Sequence, residues 1–165
     1  MTPVFADERL DWASAIGLFI INYGVLDWHF LVFLESRIPP TDFAKLKGEQ
    51  KHFQDRVARV KLLIESDQYS EEQKAAFGKF LDRVDPIRTL RNHIAHGHIL
   101  MRAAVDGKSP TLTLSLPKHL DTNYAPETRH VEFQELTTAL DKLTALIEEF
   151  PKLTGGWSDT KGVNP

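Results

Sequence analysis

The chain has 165 residues, enough for one sizeable core and too few for two comfortable ones, and its 42% hydrophobic and 26% charged content is that of a globular protein. It contains no cysteine, which excludes disulfides, thiolate zinc sites and a cysteine nucleophile. The net charge of −3 argues against nucleic-acid binding through the overall field, yet Lys45 to Lys61 carries six basic residues (Lys45, Lys47, Lys51, Arg56, Arg59, Lys61) against Glu49 and Asp55. That face suits either a phosphate-bearing partner or plain solvent.

The first predicted helix runs from about Asp7 or Glu8 to about Arg37 and is ended by Pro39-Pro40. Its apolar residues (Trp12, Ile16, Phe19, Ile20, Tyr23, Leu26, Phe30, Leu31, Phe33, Leu34) cover more than one face, so the helix must be enclosed by a bundle or by a second copy of the chain. The uncharged run from Trp12 to Leu26 is fifteen residues, short of the roughly 20 a membrane span needs. Met1 to Asp11 lacks a basic leader, so neither a membrane span nor a signal peptide is expected, and a cytoplasmic location is the simplest reading. Asp27 is a lone charge among apolar neighbours.

Thr41 or Asp42 can cap a second helix carrying Leu46, Phe53, Val57, Val60 and Ile64 at three-four spacing to about Glu65. Ser70 and Gln73 read as a capping box opening a third, whose apolar stripe is Phe77, Phe80, Val84, Ile87, then position 91, then Ile94. Pro86 lacks the N–H for a bond to Asp82 and is expected to kink or restart the helix, with Asp85 as cap. Arg91 stands where the stripe calls for a hydrophobe, and Gly97 stands where a left-handed cap would sit. Two lone charges on apolar stripes, Asp27 and Arg91, would form a structural ion pair if the helices pack together.

After Gly97 the pattern becomes strand-like over Ile99 to Val105 and Thr111 to Leu116, with Asp106-Gly107 between them, which predicts a β-hairpin at about 98–116. Residues Pro117 to Pro126 read as loop. A last helix is expected from about Val131 to Phe150, ended by Pro151, and Thr154 to Pro165 as a frayed tail. The expected organisation is a single helical domain over 1–153 with a tail at 154–165. In class it is all-α, an antiparallel four-helix up-and-down bundle with a small β-hairpin between the third and fourth helices.

The segment Leu90-Arg91-Asn92-His93-Ile94-Ala95-His96-Gly97 resembles the signature of the HEPN superfamily, small helical domains marked by Arg-Asn-x-x-x-His. The matched residues are Arg91, Asn92 and His96, with Gly97 closing the motif, and the helix order around them fits over most of residues 8 to 150. The resemblance implies a metal-independent endoribonuclease in which the ribose 2′-hydroxyl attacks the adjacent phosphate. It also implies a homodimer, a role in defence or stress response, and no cofactor. By that resemblance His96 handles the proton, Arg91 holds the phosphate and Asn92 supports the pair, roles suited to an imidazole that titrates near neutrality and to a planar donor fork. Arg88, His93 and Lys51 are the accompanying candidates for substrate binding. The sequence departs from the HEPN toxins that carry a modified Tyr two residues after the motif His, because His98 stands there.

Alternatives stay open on the residues themselves. Positions 91 and 96 point about 140° apart on a regular helix, so a single chain does not easily present both to one phosphate, and a site shared by two chains would. His93, His96 and His98 are dense but span a helix end without an evident carboxylate, and no metal site is assigned. Arg91 paired with Asp27, and His96 capping the helix C-terminus, would make the motif a scaffold. The alternative function is then a non-catalytic dimeric module that binds a nucleotide, RNA or protein partner, including a regulatory protein.

Overall fold

The computed structural model describes residues 5–39, 52–66, 69–102, 111–116 and 127–155. The expected cap at Thr41 or Asp42, Leu46, the basic residues Lys45, Lys47 and Lys51, the turn at Asp106-Gly107, the loop after Pro117 and the tail beyond Gly155 lie outside them. The described chain is mostly helical, in the order α1 (Phe5–Arg37), α2 (Phe53–Ile64), α3 (Glu71–His96), β1 (His98–Arg102), β2 (Thr111–Leu116), β3 (Glu127–Glu132) and α4 (Phe133–Leu153).

Two compact units can be distinguished along the chain: residues 1–23 with 86–143, and residues 24–85 with 144–165. Helices α1, α3 and α4 each contribute one part to both. In the second unit the core is aromatic. Phe30 stacks on Phe150 at 4.7 Å and meets Phe53 edge-on at 5.1 Å, while Phe33 contacts Phe77, so α1, α2, α3 and α4 all converge on one cluster. Such offset and edge-to-face arrangements are the ones the ring quadrupole favours. His29 joins the cluster, lying parallel to Phe150, and burial pushes its imidazole pKa below the ordinary value.

In the first unit Trp12 of α1 meets Phe133 of α4 edge-on at 5.1 Å. The buried stripe of α3 continues through Ile87, Leu90 and Ile94 as the periodicity requires. The sheet belongs to this unit. Strands β1 and β2 are antiparallel with Arg102 opposite Thr111, as the hairpin reading expects, and β3 adds a third strand with Leu112 opposite Val131. Leu112, Leu114 and Val131 are buried from one side of the sheet, while Thr113 is buried from the other and shares a hydrogen bond of 3.1 Å with His130.

Several local expectations are corrected. Val131 is a strand residue and α4 starts at Phe133, because Glu127 to Glu132 finds an open edge on β2 that its own sequence, with Val131 its one buried apolar side chain, does not announce. Pro151 does not end α4, which runs to Leu153 and stops where Gly155 turns left-handed at φ 85°. Thr154 Oγ1 donates to the carbonyls of Phe150 and Pro151, satisfying the end of the helix. Pro86 neither breaks nor restarts α3: the helix is continuous, and the proline is exposed, so water can take up the carbonyl it leaves unbonded. The capping box at the start of α3 is present, with Gln73 N–H on Ser70 Oγ at 3.2 Å and Ser70 N–H on Gln73 Oε1 at 2.9 Å.

The two apolar faces of helix α1 have different surroundings. One face is interior, from Trp12 through Phe19 and Leu26 to Leu34. The second apolar face is not covered within the described chain: Leu18, Ile21, Val25 and Trp28, in heptad-like 3-4-3 spacing, are exposed, Ile21 at 64% and Trp28 at 56%. By length and composition Leu10–Arg37 also passes for a membrane-crossing segment, with a mean hydropathy of 1.6 and a third of its most apolar stretch buried in the protein. The fifteen-residue uncharged run understates it because apolar residues resume beyond Asp27, from Phe30 to Leu34.

Candidate functional site

The motif lies on the last two turns of α3, which the stripe residues Leu90 and Ile94 bury against the first unit's core. The helix ends abruptly. Gly97 N–H donates to the His93 carbonyl at 2.9 Å, and β1 begins at the next residue. A β-carbon at Gly97 would fall 2.3 Å from the His93 oxygen and 3.2 Å from the Ser115 oxygen of β2, so this junction has room for glycine alone. Gly97 is not left-handed, as a cap would be, since Gly155 has the positive φ among the described glycines. Close approach of the backbone, not handedness, sets the residue.

Arg91 and His96 meet within one chain. Arg91 Nη1 lies 3.2 Å from His96 Nε2 and 3.3 Å from Asn92 Oδ1. The long arginine side chain reaches round the helix end and spans the angle that separates the two positions, so the pair does not require a second chain to converge. A guanidinium only donates, so this approach is a hydrogen bond in the tautomer that carries its proton on Nδ1 and leaves Nε2 to accept. His96 is exposed and Arg91 half-buried.

The expected ion pair between Asp27 and Arg91 is replaced at both ends. Asp27 receives both prongs of Arg56, Nε on Oδ1 and Nη2 on Oδ2, each at 2.6 Å. This is a bidentate charge-assisted pair, the strongest geometry a carboxylate offers an arginine. Arg91 instead lies over the ring of Tyr23, its guanidinium carbon 5.4 Å from the centroid. Arg56, read from sequence as one of a basic run that suits either a phosphate-bearing partner or solvent, is instead engaged in an ion pair between two helices. His96 does not cap a carbonyl, because its ring faces Arg91.

The remaining candidates separate clearly. His93 is 4% exposed, and its Nδ1 donates to the Thr89 carbonyl at 2.8 Å, so it braces the helix from inside and is not placed to contact a substrate. Arg88, one turn before Arg91, is half-buried. Lys51 lies outside the described residues. No group of three His, Asp or Glu side chains is placed to hold a metal ion among the described residues. Sequence reasoning misses Tyr23, which looks like one more aromatic on an apolar helix face, and Arg56, whose charge merges with the run around it.

Comparison of the chain with family models, curated proteins and solved structures finds no match.

Proposed function

We propose that the chain is a HEPN-type, metal-independent endoribonuclease built on a four-helix up-and-down bundle, in which Arg91, His96 and Asn92 form the catalytic group. The observation that carries this reading is the 3.2 Å approach of Arg91 Nη1 to Nε2 of an exposed His96. A neutral imidazole can take the proton of a ribose 2′-hydroxyl as its oxygen attacks phosphorus. The P–O5′ bond then breaks, the 5′ oxygen is protonated by an imidazolium, and the products are a 2′,3′-cyclic phosphate and a 5′-hydroxyl. Arg91 has no carboxylate among its contacts with the described residues, so its full positive charge is left for the developing charge on the phosphate. Substrate phosphate would sit on the other N–H edge of Arg91, and the incoming 2′-hydroxyl would displace Nη1 from Nε2.

Homodimerisation belongs to the same proposal. The stripe Leu18, Ile21, Val25 and Trp28 is self-complementary in kind, and an isologous helix pair would remove it from water. A role in defence or stress response, with a regulatory protein partner, completes it. The second reading, a non-catalytic dimeric module that binds a nucleotide, RNA or protein, is favoured by one observation: Arg91 and His96 already satisfy each other without a ligand.

The test is cleavage of a labelled structured RNA in EDTA by the wild type, Arg91→Ala and His96→Ala, each checked for folding. Cyclic phosphate ends from the wild type, lost in both variants, support the ribonuclease. Absence of cutting across an RNA panel, or equal cutting by the variants, leaves the binding module.

A further inference from the structure

We infer that Tyr23 is the positioning residue of this site, its ring setting the plane in which Arg91 reaches His96 and presents its remaining N–H edge to an oxyanion. The assignment of an oxyanion as ligand rests on the proposed function, whereas the positioning itself does not.

A charge on an apolar stripe needs a partner, and the choice of partner decides what the charge can do. A carboxylate would both hold Arg91 and neutralise it. The aromatic face holds it without cancelling it. Tyr23 is 5% exposed and belongs to the interior stripe of α1, so the platform is fixed by packing. A guanidinium lying on a ring keeps all its N–H groups directed outward in its own plane. Nη1 is committed to Asn92 and His96, and among the described residues neither Nε nor Nη2 of Arg91 has a hydrogen-bond partner. The edge formed by Nε and Nη2 is the one that fits two oxygens of a phosphate side by side, the same edge that Arg56 uses on Asp27. Tilting the guanidinium off the ring would move that edge and the contact to His96 together.

The test uses the intact chain with Tyr23→Phe, which keeps the ring, and Tyr23→Met and Tyr23→Leu, which remove it, beside Arg91→Ala. Each is checked by its amide spectrum and thermal melt. Nitrogen-15 shifts of the His96 ring report the tautomer, and titration with inorganic phosphate reports the open edge. Wild type and Tyr23→Phe are expected to show the Nδ1–H tautomer, and the ringless variants and Arg91→Ala a mixture. Phosphate should bind the ringless variants about tenfold more weakly than the wild type, the size of one good cation–ring contact. A folded ringless variant that keeps both the tautomer and the affinity overturns the inference, and so does a Tyr23→Phe variant as impaired as Tyr23→Leu, which would assign the effect to the hydroxyl. Should no ringless variant fold, the wild type decides: Arg91 side-chain protons shifted upfield by the ring support the inference, and ordinary positions overturn it. If no RNA is cut while tautomer and phosphate respond as expected, cleavage falls and the positioning stands. If the wild type cuts RNA and folded ringless variants cut with unchanged kcat and KM, the positioning falls and cleavage stands.

Discussion

Two arginines, one on α2 and one on α3, show how the same side chain can be structural in one region and chemically available in another. Arg56 grips Asp27 with two 2.6 Å bonds, and its side chain is 13% exposed. Each charge cancels the other, and the pair holds α2 to α1. Arg91 lies over the Tyr23 ring, touches the His96 imidazole, and meets no carboxylate among the described residues. Tyr23 and Asp27 are one helical turn apart on α1. The helix therefore offers one arginine an aromatic face and the other a carboxylate, and the difference separates a support from a candidate site.

The largest expected effect breaks the chemical side of this comparison. Replacing Arg91 or His96 by alanine should lower RNA cleavage by about 100-fold or more, the range for losing a general base or a charge that steadies the transition state. Thermal stability should change little for His96→Ala, because that side chain is exposed. Next comes the junction that holds the site in place. Gly97→Ala should cost about 1–3 kcal/mol in a denaturant melt, since the added carbon meets two backbone oxygens that cannot turn away.

The structural side is broken by Asp27→Ala, which takes the carboxylate away from a half-buried Arg56. We expect a loss of about 2 kcal/mol in chemical denaturation, below the cost for a fully buried pair because Asp27 is partly exposed. The activity of the folded fraction should be unchanged. Replacing both partners together, by Asp27→Leu with Arg56→Met, should restore most of that stability.

The smallest effect concerns His29. Its folded pKa lies below the ordinary 6.5 because burial disfavours the charged ring, so the unfolded chain takes up a proton first as pH falls. Stability should be fully present above about pH 7 and decline as pH drops through the unfolded value near 6.5 towards the lower folded value. His29→Leu should flatten that part of a plot of Tm against pH. An unchanged slope would show that other groups set it.

Local features are legible in the sequence and long-range ones are not. The span of α1, the capping box of Ser70 and Gln73, the stripe of α3 and the pairing of β1 with β2 all come from residues close in the chain, where periodicity and turn chemistry act. Strand β3 escapes because one buried valine in six residues gives no alternation to read, and it exists by pairing with β2. Pro86 reads as an interruption of α3 because the cost of a missing N–H is local, whereas the packing of Val84, Ile87 and Leu90 that carries the helix through is not. At the site, Arg91, Asn92 and His96 are legible as a motif. Their support is not, because which of Tyr23 and Asp27 meets Arg91 is decided by the packing of two helices distant in sequence.

The most direct measurement is the rate of RNA cleavage per folded molecule for Arg91→Ala set beside Asp27→Asn. Arg91→Ala is expected to lose cleavage and Asp27→Asn to keep it, although Asp27→Asn melts lower. Equal losses in both, or none in either, would contradict the division between an arginine that supports and one that acts.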